Sequence, residues 1–196
     1  MEKIVAEMKS KHAATLGILF TAVVSLQAES PFKKTSGNGL LHTPSNVLLP
    51  YNVGLFQRAD THIYGSQGRD VSARYLLDRL IITETYIYPV GTYGSDLDSE
   101  FKIQQTAIQQ INKNHKLISQ DTVHVNQNGR SVSGLHANYQ LTRNLFSDRN
   151  EKCGSQLFVF RDGPWFIAYR FSYPVDHSTI ANKHVGDFLR QWHWRV

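Results

Sequence analysis

The sequence predicts an α+β protein: a mostly antiparallel sheet of about six to seven strands, covered by helices on both faces and preceded by a cleaved signal peptide. Three observations carry this. Leu157-Phe158-Val159-Phe160 and Trp165-Phe166-Ile167-Ala168-Tyr169 are apolar at consecutive positions, so neither strand has a solvent side and the sheet they join must be covered twice. Two segments after the leader show helical spacing of apolar residues, one for each face. Two Gly-containing turns, at Asn128-Gly129 and around Asp162-Gly163, mark antiparallel hairpins.

The leader comes first. Met8-Lys9-Ser10-Lys11-His12 supplies a basic end, Ala13 to Val24 is uncharged, and Ser25-Leu26-Gln27-Ala28 closes on a small residue. That is the pattern of a secretory signal peptide cut after Ala28, with Met8 as the candidate true start because Glu2 and Glu7 do not suit a signal's basic end. The apolar run is shorter than a membrane span of about 20 residues. The expected product is periplasmic or secreted and is not an integral membrane protein after cleavage.

Residues 29–50 read as a polar linker: Lys33-Lys34-Thr35-Ser36-Gly37-Asn38-Gly39 is turn-rich, and Pro31, Pro44 and Pro50 punctuate it. Leu40-Leu41 and Val47-Leu48-Leu49 are the parts able to dock on a domain. Residues 51–196 form one domain by length. Short strands are expected at Leu55–Arg58 and around Val71, Ala73 and Tyr75. Leu80–Tyr88 is rich in β-branched and aromatic residues and ends at Pro89. After a loop marked by Gly91 and Gly94, Ser95 caps a helix with Asp96, Asp98 and Glu100 in its first turn. Phe101, Gln104, Ile108, Ile111 and His115 form its expected inner face. Strands at 117–126 and 130–140 follow, then 155–161 and 165–173. Pro174 stops the last strand, and a helix from about Ser178 to Trp194 turns Ile180, His184, Phe188 and Trp192 to one side.

This order of elements resembles the PsbP/Mog1-like fold. The resemblance rests on Val71 to Gly91, the hairpin Leu157 to Pro174 and the helix Ser178 to Trp194, and spans about residues 51–196. It implies a protein of a mostly non-catalytic group: accessory subunits, small-GTPase binders and exported bacterial proteins. It carries no functional residue over to this chain.

Composition excludes several classes. The formal net charge is +5, and the longest cationic run is Lys33-Lys34, so nucleic acid is not an expected partner. Cys153 is the single cysteine, which rules out an internal disulfide. No His-x-His, His-Glu-x-x-His or Cys-pair spacing predicts a metal. There is no Gly-x-Ser-x-Gly elbow and no phosphate loop, and no cofactor is expected.

Four features remain as candidates. A two-residue turn at Asn128-Gly129 pairs Gln127 with Arg130, which sets Asp121 opposite His136 and His124 opposite Ser133. Asp121/His136 is half of an acid–base apparatus, and a small hydrolase using it, or Cys153, is one alternative function. Arg170 interrupts an apolar strand on the face of Phe166, Ala168 and Ser172. A turn at Asp162-Gly163 sets Ser155 opposite Arg170 and Cys153 opposite Ser172. A buried cation needs a partner. That partner is either Glu84, mid-strand between apolar residues, or an anionic ligand in a cleft between sheet and helix. Arg170, Glu84, Ser155 and Ser172 are thus the candidate ligand-binding residues of a small-ligand or lipid carrier. Trp194, flanked by His193 and Arg195, is the candidate exposed anchor for a partner. The leading expectation is an exported non-catalytic binding or accessory protein of the bacterial periplasm or envelope, whose partner is an envelope protein or a small ligand.

Overall fold

The computed structural model describes residues 30–112, 114–146 and 148–195; the expected signal peptide lies outside them. The described residues form eleven strands and two α-helices: β1 (Phe32–Lys34), β2 (Leu40–His42), β3 (Val47–Leu49), β4 (Asn52–Val53), β5 (Phe56–Tyr64), β6 (Asp70–Leu77), β7 (Ile81–Pro89), α1 (Leu97–Ile111), β8 (Lys116–Gln127), β9 (Arg130–Arg143), β10 (Glu151–Asp162), β11 (Trp165–Pro174) and α2 (Ser178–Gln191). Eight strands make one antiparallel sheet in the order β4-β5-β6-β7-β11-β10-β9-β8, and β1–β3 make a small second sheet. Among the described residues no helix is long and apolar enough to cross a membrane.

Alternation along the strands divides two cores across the large sheet. Phe158, Phe160, Ile167, Tyr169 and Phe171 pack with Ala181, Val185 and Phe188 of α2. Leu157, Val159, Phe166 and Ala168 point the other way and pack with Phe101 and Ile108 of α1. Both apolar strands lie near the middle of the sheet, as their lack of a solvent side requires. In α2 the inner face is Ala181, Val185 and Phe188, one position round from the expected stripe, and Ile180 is 47% exposed. In α1, Phe101 and Ile108 are buried but Ile111 is 74% exposed. The cap of α1 is Asp96 rather than Ser95. Its carboxylate accepts from Ser99 N at 2.8 Å while Ser99 Oγ accepts from Asp96 N at 3.1 Å, a reciprocal box that closes two free N–H groups.

The segment read as a linker is folded. Val47 and Leu49 are buried. Leu48 N donates to Trp194 O at 2.9 Å, and Trp192 Nε1 donates to Leu48 O at 2.8 Å. The parts that dock are those expected to be able to: Val47 and Leu49 enter the core and Leu40 packs against it. His42 is wholly buried there. Its Nδ1 pairs with Ser45 Oγ at 2.6 Å, its Nε2 pairs with Gly68 O at 2.8 Å, and its ring stands edge-on to Trp165. Burial lowers its pKa.

Trp194 is not an exposed anchor. It is 2% exposed, its ring packs on Phe160, and Nε1 donates to Tyr169 Oη at 2.5 Å. Gln127 holds the strap by donating to Trp192 O at 3.0 Å and accepting from Trp194 N at 2.9 Å. Position beyond the last helical turn does not imply exposure when the chain folds back over the sheet end.

The β8–β9 register is the expected one: Gln127 faces Arg130, His124 faces Ser133 and Asp121 faces His136. The β10–β11 register is displaced by two residues. The turn centres on Gly163-Pro164, so Asp162 pairs with Trp165 and Ser155 faces Ser172, while Leu157 faces Arg170 and Cys153 faces Pro174. Pro164 has no N–H for a ladder position, and Gly163 at φ 60° takes the left-handed place in the turn.

Candidate binding site: the cavity between helix α1 and the sheet

The α1 face of the sheet is covered on the β9–β10 side and open toward β5 and β6. The alternation that buries Thr83, Thr85 and Ile87 under α2 turns Glu84, Tyr86 and Tyr88 toward α1. On β6 the same face carries Asp70, Ser72 and Arg74. Arg170 stands on it from β11, directly across from Glu84 on one side and Leu157 on the other.

Between this surface and α1 lies a cavity of about 330 Å³. Ile103, Ala107, Ile108 and Ile111 of α1 form one wall; Tyr86, Tyr88, Leu157 and Arg170 of the sheet form the other. The mouth is set by a polar network. Glu100 is fully buried and accepts three hydrogen bonds, from Tyr88 Oη at 2.7 Å, Gly94 N at 2.8 Å and Gln104 Nε2 at 2.8 Å. Gly94 is required here: a Cβ would fall 2.5 Å from Glu100 N. Tyr93 Oη donates to Asp70 at 2.7 Å, and the Tyr93 ring packs edge-on to Tyr88. The hydrogen bond to Asp70, followed by desolvation, raises the Tyr93 phenol to about 12. Desolvation raises the Asp70 carboxyl, and the Tyr93 bond opposes this.

Arg170 is the anomaly of this surface. Its Nε and Nη2 have no solvent access and no hydrogen-bond partner among the described residues. Glu84 is its cross-strand neighbour, yet no ion pair within 4 Å joins them. Burial and the positive charge of Arg143 lower the guanidinium pKa, and Glu84 only opposes that. Ser155 Oγ, across the β9–β10 ladder from Tyr139 on the same face, is also buried without a partner among the described residues. Ser172 faces Ser155 on the other side. The four expected residues are therefore gathered on one face, with Arg170 alone of them lining the cavity. Tyr64, Asp70, Tyr88, Tyr93 and Glu100 were missed. The alternation Glu84, Tyr86, Tyr88 was the available signal for part of that set.

Two other candidates stand apart. His136 Nδ1 lies 3.0 Å from Asp121 Oδ1, and its ring stacks on Phe158 at 4.3 Å, which puts the pair on the α2 face. Its Nε2 is buried without a partner among the described residues, so no nucleophile is joined to it. Cys153 is wholly buried and burial raises its thiol pKa, the opposite of what an attacking thiolate needs. Among the described residues no group of three or more His, Cys, Asp or Glu is placed to hold a metal ion.

No protein-family model matches the sequence, and no curated protein is similar to it. Among solved structures, the chain is similar to cyanobacterial PsbP (CyanoP) from Synechocystis sp. PCC 6803, at 16% identity over 76% of this chain and 85% of that one, with a TM-score of 0.48. The chain is also similar to a Pseudomonas aeruginosa protein of unknown function described as a putative regulator, at 11% identity over 80% of this chain and 92% of that one, with a TM-score of 0.38.

Proposed function

We propose that this protein is an exported, non-catalytic binding protein of the periplasm or envelope, and that it binds a small anionic ligand at Arg170. The observation that carries the reading is the guanidinium itself: Arg170 lines the cavity, and its Nε and Nη2 are buried without acceptors among the described residues. A buried donor left unpaired is costly, and a carboxylate or similar anion supplies the missing acceptors in the geometry a guanidinium prefers. The cavity is within the size range of small-ligand sites, and its lining joins apolar walls to a few directed polar groups. Ser155 and Ser172 act behind Arg170 as small polar neighbours, and Glu84 balances its charge. Export rests on the basic, apolar and small-residue order of Met8 to Ala28.

The test is native mass spectrometry of the protein recovered from its own exported fraction. The reading expects a chain beginning at Glu29, carrying a small mass that is lost in Arg170→Met. A mature protein that is ligand-free in both forms contradicts the carrier function.

A further inference from the structure

The charges that line the cavity are not of one sign. Arg170, with Arg143 close enough to repel it, marks one end. Asp70 lines the other, with Glu100 near enough to act on it. Strand geometry gives the separation. Arg170 is in register with Glu84, Glu84 with Arg74, and Tyr88 lies four residues further along β7, in register with the Asp70 end of β6. Four residues along the strand and two strand spacings across put the two Cα atoms about 16 Å apart. An arginine side chain takes up part of that span, and the apolar side chains of α1 and Tyr86 border what remains.

We propose that the ligand is a single-headed anion, a monocarboxylate with a medium-length apolar chain, and that Asp70 and Glu100 reject any ligand carrying a second negative charge at its far end. This rests on the Arg170 reading and gives it a substrate class. The head pairs with the Arg170 guanidinium where it lines the cavity, and the chain runs along Ile103, Ala107 and Ile108. The tail ends at the Asp70–Tyr93 contact. Glu100 has its carboxylate filled by three donors and cannot turn away. Asp70 accepts from the Tyr93 hydroxyl and lines the cavity at the tail's end. A terminal carboxylate there meets a like charge in a poorly hydrated place, where repulsion is strong.

Isothermal titration calorimetry of the exported chain with octanoate and with octanedioate, both below micelle-forming concentration, tests this. The two probes share a chain length and differ in one end. Octanoate is expected to bind wild type roughly tenfold or more tighter than octanedioate, by the like-charge penalty. Asp70→Asn keeps an acceptor for Tyr93 and is expected to narrow that ratio at least about threefold, by removing one of the two repelling charges. Arg170→Met is expected to lose both probes. Equal binding of the two by wild type, or an unchanged ratio in Asp70→Asn, overturns the single-headed class while leaving an Arg170 site standing. Octanoate that does not bind, or binds Arg170→Met as well as wild type, overturns the Arg170 reading and this proposal with it.

Discussion

Replacing Arg170 by Met in the ligand-free protein should make the fold more stable. The substitution keeps an unbranched apolar stem against Leu157 and Tyr86 and removes the guanidinium. Two buried N–H groups without acceptors cost roughly 1–3 kcal/mol each. Against this stands the attraction of Glu84 across the ladder, about 3 kcal/mol at a cross-strand spacing of about 5.5 Å and an effective dielectric of about 20. Arg143 cancels part of that attraction. Glu84 is not abandoned by the change, because Arg74 faces it from β6. The net expectation is a gain of about 1–3 kcal/mol, a shift in melting temperature of about 2–4 °C per kcal/mol for a domain of this size. Urea unfolding followed by tryptophan fluorescence measures it, with an unchanged slope showing that only stability has moved. A loss of about 3–5 kcal/mol is what breaking a working buried ion pair produces. That result would mean Arg170 is a structural partner of Glu84, and the reasoning above would fail.

Trp194→Ala should destabilise by about 3–5 kcal/mol, since it empties a core position and strands Tyr169 Oη; a neutral urea midpoint would restore Trp194 to the surface. Stability should fall as pH drops below about 6.5, where unfolded histidine takes a proton that buried His42 resists, and should level off below the folded pKa. The acid-side slope should shrink in His42→Ala. Glu100→Gln should cost about 2–3 kcal/mol, because the new NH₂ faces either the Gly94 N–H at the Oε2 place or Tyr88 Oη and Gln104 Nε2 at the Oε1 place. A midpoint within about 0.5 kcal/mol of wild type would refute the buried carboxylate network.

The parts of this molecule legible in the sequence are those set by local pattern. The Asn128-Gly129 turn sets the β8–β9 register from Gln127 opposite Arg130 back to Ser119 opposite Asn138, Asp121 opposite His136 included, and a bulge between Leu117 and Ser119 shifts the rest by one. The doubly apolar strands required cover on both faces, and the two helices supply it. Arg170 was visible because a charge inside an apolar run is informative wherever it falls. What was not legible depends on contacts between distant segments. Val47-Leu48-Leu49 was visible as a stretch able to dock, but its hydrogen bond to Trp194, from the far end of the chain, was not. The turn lies one residue later than expected, at Gly163-Pro164, which moves the β10–β11 pairing by two, because the missing N–H of Pro164 outranked the more familiar Asp-Gly signal. The Asp70–Tyr93 contact joins β6 to a loop two elements later, with no spacing rule to announce it.

The central claim is that the Arg170 guanidinium binds a carboxylate. The most direct measurement is the Arg170 Nε–H resonance in a ¹H–¹⁵N spectrum, assigned by its absence from Arg170→Met and followed while octanoate is added. A saturable downfield shift of that resonance, with little change at other arginines, is the predicted result. A resonance that does not move while octanoate reaches saturation elsewhere, or no saturation at all, would contradict the account.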